Sequence, residues 1–157
     1  MTKVDPEAEV PPVDAAARAR LADALDRAPV VAAYLFGSQA SGAAGPLSDV
    51  DVAVVTASPA PASPGVAPRG ELRAQLRATA AGALGTEEVD LVLLDGAPPL
   101  LCHRVLRGGV LLLDRNPRER VRFETRALLD YLDTAPLRET LAAGRRERLV
   151  EGRFGRR

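Results

Sequence analysis

Four stretches of the chain are too apolar or too regularly alternating to lie in water, and they set its framework. Val30 to Phe36 (VVAAYLF) is an unbroken apolar run bounded by turn residues. It predicts a strand buried on both faces. Asp49 to Thr56 (DVDVAVVT) is β-branched and partly alternating, and Glu88 to Leu94 (EVDLVLL) repeats that texture. Val110 to Leu113 is shorter. These predict three further strands.

Between them the apolar spacing changes from two to three or four. Asp14 is placed to cap a helix reaching about Arg27, with Ala17, Leu21 and Leu25 on one face. A helix ending near Leu84 carries Leu72, Leu76 and Ala80 on one face. Pro98 to Arg107 opens on proline and is followed by Gly108, the usual asymmetry of helix ends. Pro117 to Thr134 predicts the longest helix, with Val121, Thr125, Leu128 and Leu132 as its apolar stripe. A last helix is expected from Pro136 to about Val150. Helices and strands intermingle, so the expected class is α/β (α+β) with one small sheet.

The punctuation divides the rest. Residues 1–12 read as a disordered lead-in and 151–157 as a tail, leaving a single domain over 13–150. Ala57 to Gly70 (ASPAPASPGVAPRG) holds four prolines and no periodicity, and is expected to be a loop. The length of 157 residues suits one domain. No apolar run approaches the roughly 18 residues of a membrane span, and the polar start lacks a signal-peptide core. Cys102 is the only cysteine, so an internal disulfide is impossible, and a reducing cytoplasm is the expected location.

Composition narrows the function classes. Acids and bases balance at 21 each, and aromatic residues make up only 3 %. Neither an electrostatic footprint for a long polyanion nor a set of base-stacking platforms is present, so direct nucleic-acid binding is not expected.

Candidate chemistry concentrates between Leu35 and Val55. Asp49 and Asp51 are two apart on an expected strand, so their side chains share a face with Cα atoms about 6.5–7 Å apart. Two carboxylates so placed suit hard cations such as Mg²⁺. They would equally suit the solvent end of an ordinary strand. Upstream, Gly37 ends an apolar strand and Ser38 falls near the start of a short helix. Free N–H groups and a hydroxyl there suit a phosphate, although Ser38 alone would also serve as a plain N-cap. Asp90 interrupts the strand Val89-Asp90-Leu91-Val92-Leu93-Leu94 and shares a face with Val92 and Leu94. A charge there is costly unless it is paired, at a sheet edge, or on a metal. Three acids on adjacent strands beside a phosphate-binding turn would make a two-metal site.

The segment GSQASGAAGPLSDVD, with ten residues between Gly37-Ser38 and Asp49-Val50-Asp51, resembles the signature of the DNA polymerase β-like nucleotidyltransferases. More narrowly, the chain from Val30 to Glu139 is similar to the minimal nucleotidyltransferase (MNT) group. The resemblance implies a palm-like fold, a small mixed sheet backed by helices. It implies that Gly37 and Ser38 bind the nucleotide triphosphate and that Asp49, Asp51 and Asp90 are catalytic and bind two Mg²⁺ ions. It further implies an antitoxin that moves AMP from ATP onto a tyrosine of a HEPN-domain RNase toxin, as a hetero-oligomer with that toxin. Two alternatives remain: a non-catalytic antitoxin that acts by binding alone, and a small-molecule nucleotidyltransferase.

Three further residues have blander readings. His103 and its neighbours Arg104 and Arg107 are expected on a partly solvated helix face. Cys102 is expected to pack.

Overall fold

The computed structural model describes residues 13–45, 48–57 and 69–150, with side chains through Gly144. The expected lead-in, the tail and most of the proline-rich loop lie outside the described residues. The elements run α1 (Ala15–Leu25), β1 (Val30–Phe36), α2 (Gly37–Ser41), β2 (Val50–Thr56), α3 (Arg69–Leu84), β3 (Val89–Leu93), α4 (Pro99–Gly108), β4 (Val110–Asp114), α5 (Pro117–Asp133) and α6 (Ala135–Val150). Arg69 and Gly70, expected in the loop, are the first residues of α3.

The strands form one mixed sheet in the order β3-β2-β1-β4. Strand β1 runs antiparallel to both β2 and β4, and β2 runs parallel to β3. The C-terminal end of β1 therefore meets the N-terminal ends of β2 and β3, which brings the turn after Phe36 beside both aspartate-bearing strands.

Alternation along the strands builds two cores. Val50, Val52, Val54 and Leu91 face α1 and α3, where they pack with Leu21, Leu25, Leu76 and Ala80. Ala32, Tyr34, Ala53, Val55 and Leu94 face the other way, onto Cys102 and Val105 of α4 and Ala127 of α5. Being covered on both sides is the reason β1 reads as an uninterrupted apolar run. Asp14 caps α1 as expected, its Oδ1 accepting from the Ala17 N–H at 2.7 Å. Leu91 is fully buried beside Asp90. Leu91→Ala is expected to cost about 2–5 kcal/mol, measurable as a lowered urea midpoint; an unchanged midpoint would contradict this packing.

Helix α5 corrects the expected stripe. Val121 and Leu132 are 50 % and 54 % exposed, and Thr125 and Leu128 are exposed with them. The buried residue is Ala127, with Phe123 packed against the same core. Polar contacts fix this rotation. The Tyr34 hydroxyl donates to Glu124 Oε1 at 2.8 Å, and Arg120 bridges Glu124 (2.8 Å) and Asp114 (3.0 Å). Turning the leucine stripe inward would tear those partners apart and leave charges buried. Burial, then the hydrogen bond to Glu124, raises the Tyr34 hydroxyl pKa, so the phenol stays neutral.

Candidate active site

The turn leaving β1 is shaped around one carboxylate. Gly37 has φ +69°, and a Cβ built on it would lie 2.1 Å from Asp51 Oδ2. Both the left-handed backbone and the approach of the carboxylate require glycine. Phe36 and Asp51 are register partners across β1 and β2, which explains why the two meet.

Helix α2 begins at Gly37 itself, one residue earlier than expected, and Phe36 occupies the N-cap without a side-chain bond. Ser38 is therefore inside the first turn rather than capping it. Its carbonyl accepts from the Ala43 N–H and the Ser41 hydroxyl, while its own hydroxyl makes no hydrogen bond among the described residues. Gln39 is an addition that sequence reasoning missed. It is buried, and its Oε1 accepts from the Val13 N–H at 3.3 Å, tying α2 to the entry of α1. No local pattern marks it, because the partner lies 26 residues away.

Asp49 stands just outside β2, which starts at Val50. It is exposed, whereas Asp51 is half-buried. Asp90 is the register partner of Asp51 across the parallel β2–β3 pair, so the two carboxylates stand side by side on one face. Val92 and Leu94 follow on that face, as the alternation predicts. Burial raises the Asp51 pKa, and the charges of Asp90 and then Asp49 raise it further. Both neighbouring acids thus act on Asp51, and among the described residues no cation pairs with it.

Asp90 does have a cationic neighbour. Arg73 Nη2 lies 3.4 Å from its Oδ1, but both side chains are more than half exposed, so the pair contributes little stability. Arg73 also donates from Nε to the Leu91 carbonyl, and Arg77 donates to the carbonyls of Val89 and Glu87. Strand β3 is a sheet edge, and these α3 arginines occupy its free carbonyls. Their role was not legible in the sequence, where α3 shows only charge on its polar face.

Among the described residues, no three Asp, Glu, His or Cys side chains are gathered closely enough to hold one ion among them. The donor set still fits a hard divalent cation. All three groups are carboxylates, two are open to solvent, and the third carries unbalanced negative charge. His103 takes no part here. It is half-buried and stacks on Tyr131 with ring centroids 3.7 Å apart. Cys102 is a buried free thiol in the α4 core.

A family model described as polymerase beta, nucleotidyltransferase, matches residues 20–118. No curated protein matches the chain. Several solved structures share its fold. A chain from a toxin–antitoxin crystal structure with AMP-PNP is 24 % identical with a TM-score of 0.65, over 81 % of this chain and 96 % of that one. A chain from tri-AMPylated Shewanella oneidensis HEPN toxin in complex with MNT antitoxin is 22 % identical with a TM-score of 0.60, over 82 % and 94 %. A chain from the MntA–HepT toxin–antitoxin complex is 22 % identical, also with a TM-score of 0.60, over 82 % and 95 %.

Proposed function

Because the chain belongs to the polymerase beta nucleotidyltransferase family, we propose that it moves AMP from ATP onto a tyrosine of a partner protein. In this reading it acts in the cytoplasm as the antitoxin of a HEPN toxin, with which it forms a hetero-oligomer. The observation that carries the reading is the Asp51–Asp90 register pair with Gly37 packed against Asp51. That arrangement puts the backbone turn after β1 directly beside adjacent carboxylates. The structural relatives add support, since they include a complex with AMP-PNP and one with an AMPylated toxin.

Asp49, Asp51 and Asp90 would hold two Mg²⁺ ions, which when bound offset the triphosphate charge and favour ionisation of the incoming hydroxyl. The Gly37 turn and the Ser38 hydroxyl hold phosphate oxygens. The acceptor oxygen attacks the α-phosphorus, the bond to the β-phosphate bridge breaks, and pyrophosphate departs. The protein's share is positioning and charge placement.

The test is incubation of the chain and its co-expressed partner with labelled ATP and magnesium, followed by intact mass of the partner. Adenylyl adducts are expected, and EDTA in excess is expected to remove them entirely. Full transfer in metal-free buffer would sink the role given to the carboxylates.

Ser38→Ala isolates the phosphate contact. Loss of a hydrogen bond to a charged group costs about 1.5–3 kcal/mol, so kcat/KM for ATP is expected to fall by one to two orders of magnitude. The melting temperature should barely move, because the hydroxyl makes no hydrogen bond among the described residues. A large drop in melting temperature with normal turnover per folded molecule would make Ser38 structural.

A further inference from the structure

The outer face of α5 is apolar and bare. Val121, Thr125, Leu128, Leu129 and Leu132 are all exposed, Leu128 and Leu129 by 48 % and 56 %. The described part of α6 does not cover them. It leaves α5 beside Tyr131, where the Arg138 guanidinium lies 3.7 Å from the ring centre, and its own Leu137 and Leu141 are exposed as well. A contiguous apolar patch of this kind marks an interaction surface. We propose that a second copy of this chain covers the face, with the two α5 helices antiparallel about a two-fold axis at Leu128. The inference is independent of the nucleotidyl-transfer reading.

Charge along the stripe selects this occupant. At about 100° per residue, Arg122, Arg126, Asp130 and Asp133 fall along one border of the stripe, bases toward the N-terminus and acids toward the C-terminus. All four are exposed, and none forms an ion pair among the described residues, although Arg126 and Asp130 stand one turn apart. Arg126 and Asp130 lie two residues either side of Leu128, and Arg122 and Asp133 lie six and five. A two-fold axis through Leu128, normal to both helices, brings the same border of each copy together with its direction reversed. Arg126 of one copy then meets Asp130 of the other, and Arg122 meets Asp133. Each pair occurs twice, as an isologous contact requires. Thr125 and Leu132, three and four residues from the axis, flank Leu128 in the seam.

A parallel pair has no such match. It would set the charged border against the opposite one, where Glu124 is already engaged by Tyr34 and Arg120. An unrelated partner gives no reason for bases and acids to be disposed evenly about the middle of the stripe. The leucines supply the attraction, and the four charges set its direction, since charges at an interface rim fix orientation more than they add affinity. The contact is one helix of 17 residues from each copy. That is short of a standard interface, so the dimer is expected to be weak, with a dissociation constant in the micromolar range.

Sedimentation of the full chain from micromolar to millimolar concentration at low salt tests the dimer, and charge reversal tests its geometry. One variant carries Arg122→Glu with Arg126→Glu, and the other Asp130→Arg with Asp133→Arg. The side chains are exposed and unpaired among the described residues, so both variants should fold. Either variant alone sets like charges together at both ends of the seam, and its dissociation constant is expected to rise at least tenfold. In an equimolar mixture every pair is opposite in sign again, and dimer formation is expected to return to within about threefold of wild type. Leu128→Glu is a further probe, because it sets two carboxylates together at the axis and should also give a monomer. A wild type that stays monomeric throughout the range overturns the proposal. So does a dimer that survives both reversals and Leu128→Glu, and so does a mixture that fails to re-form one. If the chain is monomeric but the variants lose a co-expressed partner that the wild type holds, the face belongs to that partner and the proposal is overturned.

Discussion

Asp49→Asn together with Asp51→Asn is expected to abolish nucleotidyl transfer while leaving the fold intact or firmer. The amides keep the size of the carboxylates and remove the charge that holds divalent cations, so transfer should drop at least a thousandfold, about 4 kcal/mol in barrier. Stability should move the other way. The Asp51 pKa is raised in the folded chain by burial and by the charges of Asp90 and Asp49. A carboxyl with a raised folded pKa penalises folding at any pH above that value. The penalty fades as pH falls through the folded pKa and is gone below the unfolded one. In EDTA, therefore, the variant should melt at or above the wild-type temperature at pH 7, and the difference should shrink on acidification. Calorimetry across pH with intact mass of the partner gives both readouts. Growth of cells that co-express the toxin decides what the chemistry is for. If variant and wild type protect equally and the partner is unmodified in both, the protein neutralises by binding and catalysis is not its function.

Gly37→Ala is expected to have the second largest effect, and a matched glycine supplies its control. Gly37 and Gly42 both have positive φ, at +69° and +72°. Alanine at either costs about 1–2 kcal/mol for the left-handed backbone. Only at Gly37 does the added methyl collide with a neighbour, Asp51 Oδ2 at 2.1 Å, whereas nothing lies within 4 Å of the position at Gly42. Asp51 is anchored in β2, so either its carboxylate rotates away or the turn opens. Gly37→Ala should therefore lose at least a hundredfold in transfer, and Gly42→Ala should keep most of it at a comparable melting temperature. Equal activities in the two variants would remove the Gly37–Asp51 contact from the mechanism.

Much of this molecule was determined by the sequence at short range. The apolar run of β1, the alternation of β2 and β3, the Asp14 cap and the helix-opening prolines are local signals, and each element formed within a residue or two of where they place it. Gly37, Ser38, Asp49 and Asp51 lie within fifteen residues, so spacing alone marked them as a group. Tertiary structure decided the rest. That Asp90 stands beside Asp51 depends on parallel pairing of strands separated by α3, which no local period encodes. The same holds for the Gly37–Asp51 contact and for Gln39 reaching back to Val13. Helix α5 shows the limit most clearly. Its leucine stripe has the period of a buried face, yet Ala127 is buried and the stripe faces outward. Periodicity reports which residues share a side of a helix. Which side meets the sheet was settled by the partners waiting there, Tyr34 for Glu124 and Asp114 for Arg120, because burying those groups unpaired costs more than exposing leucines.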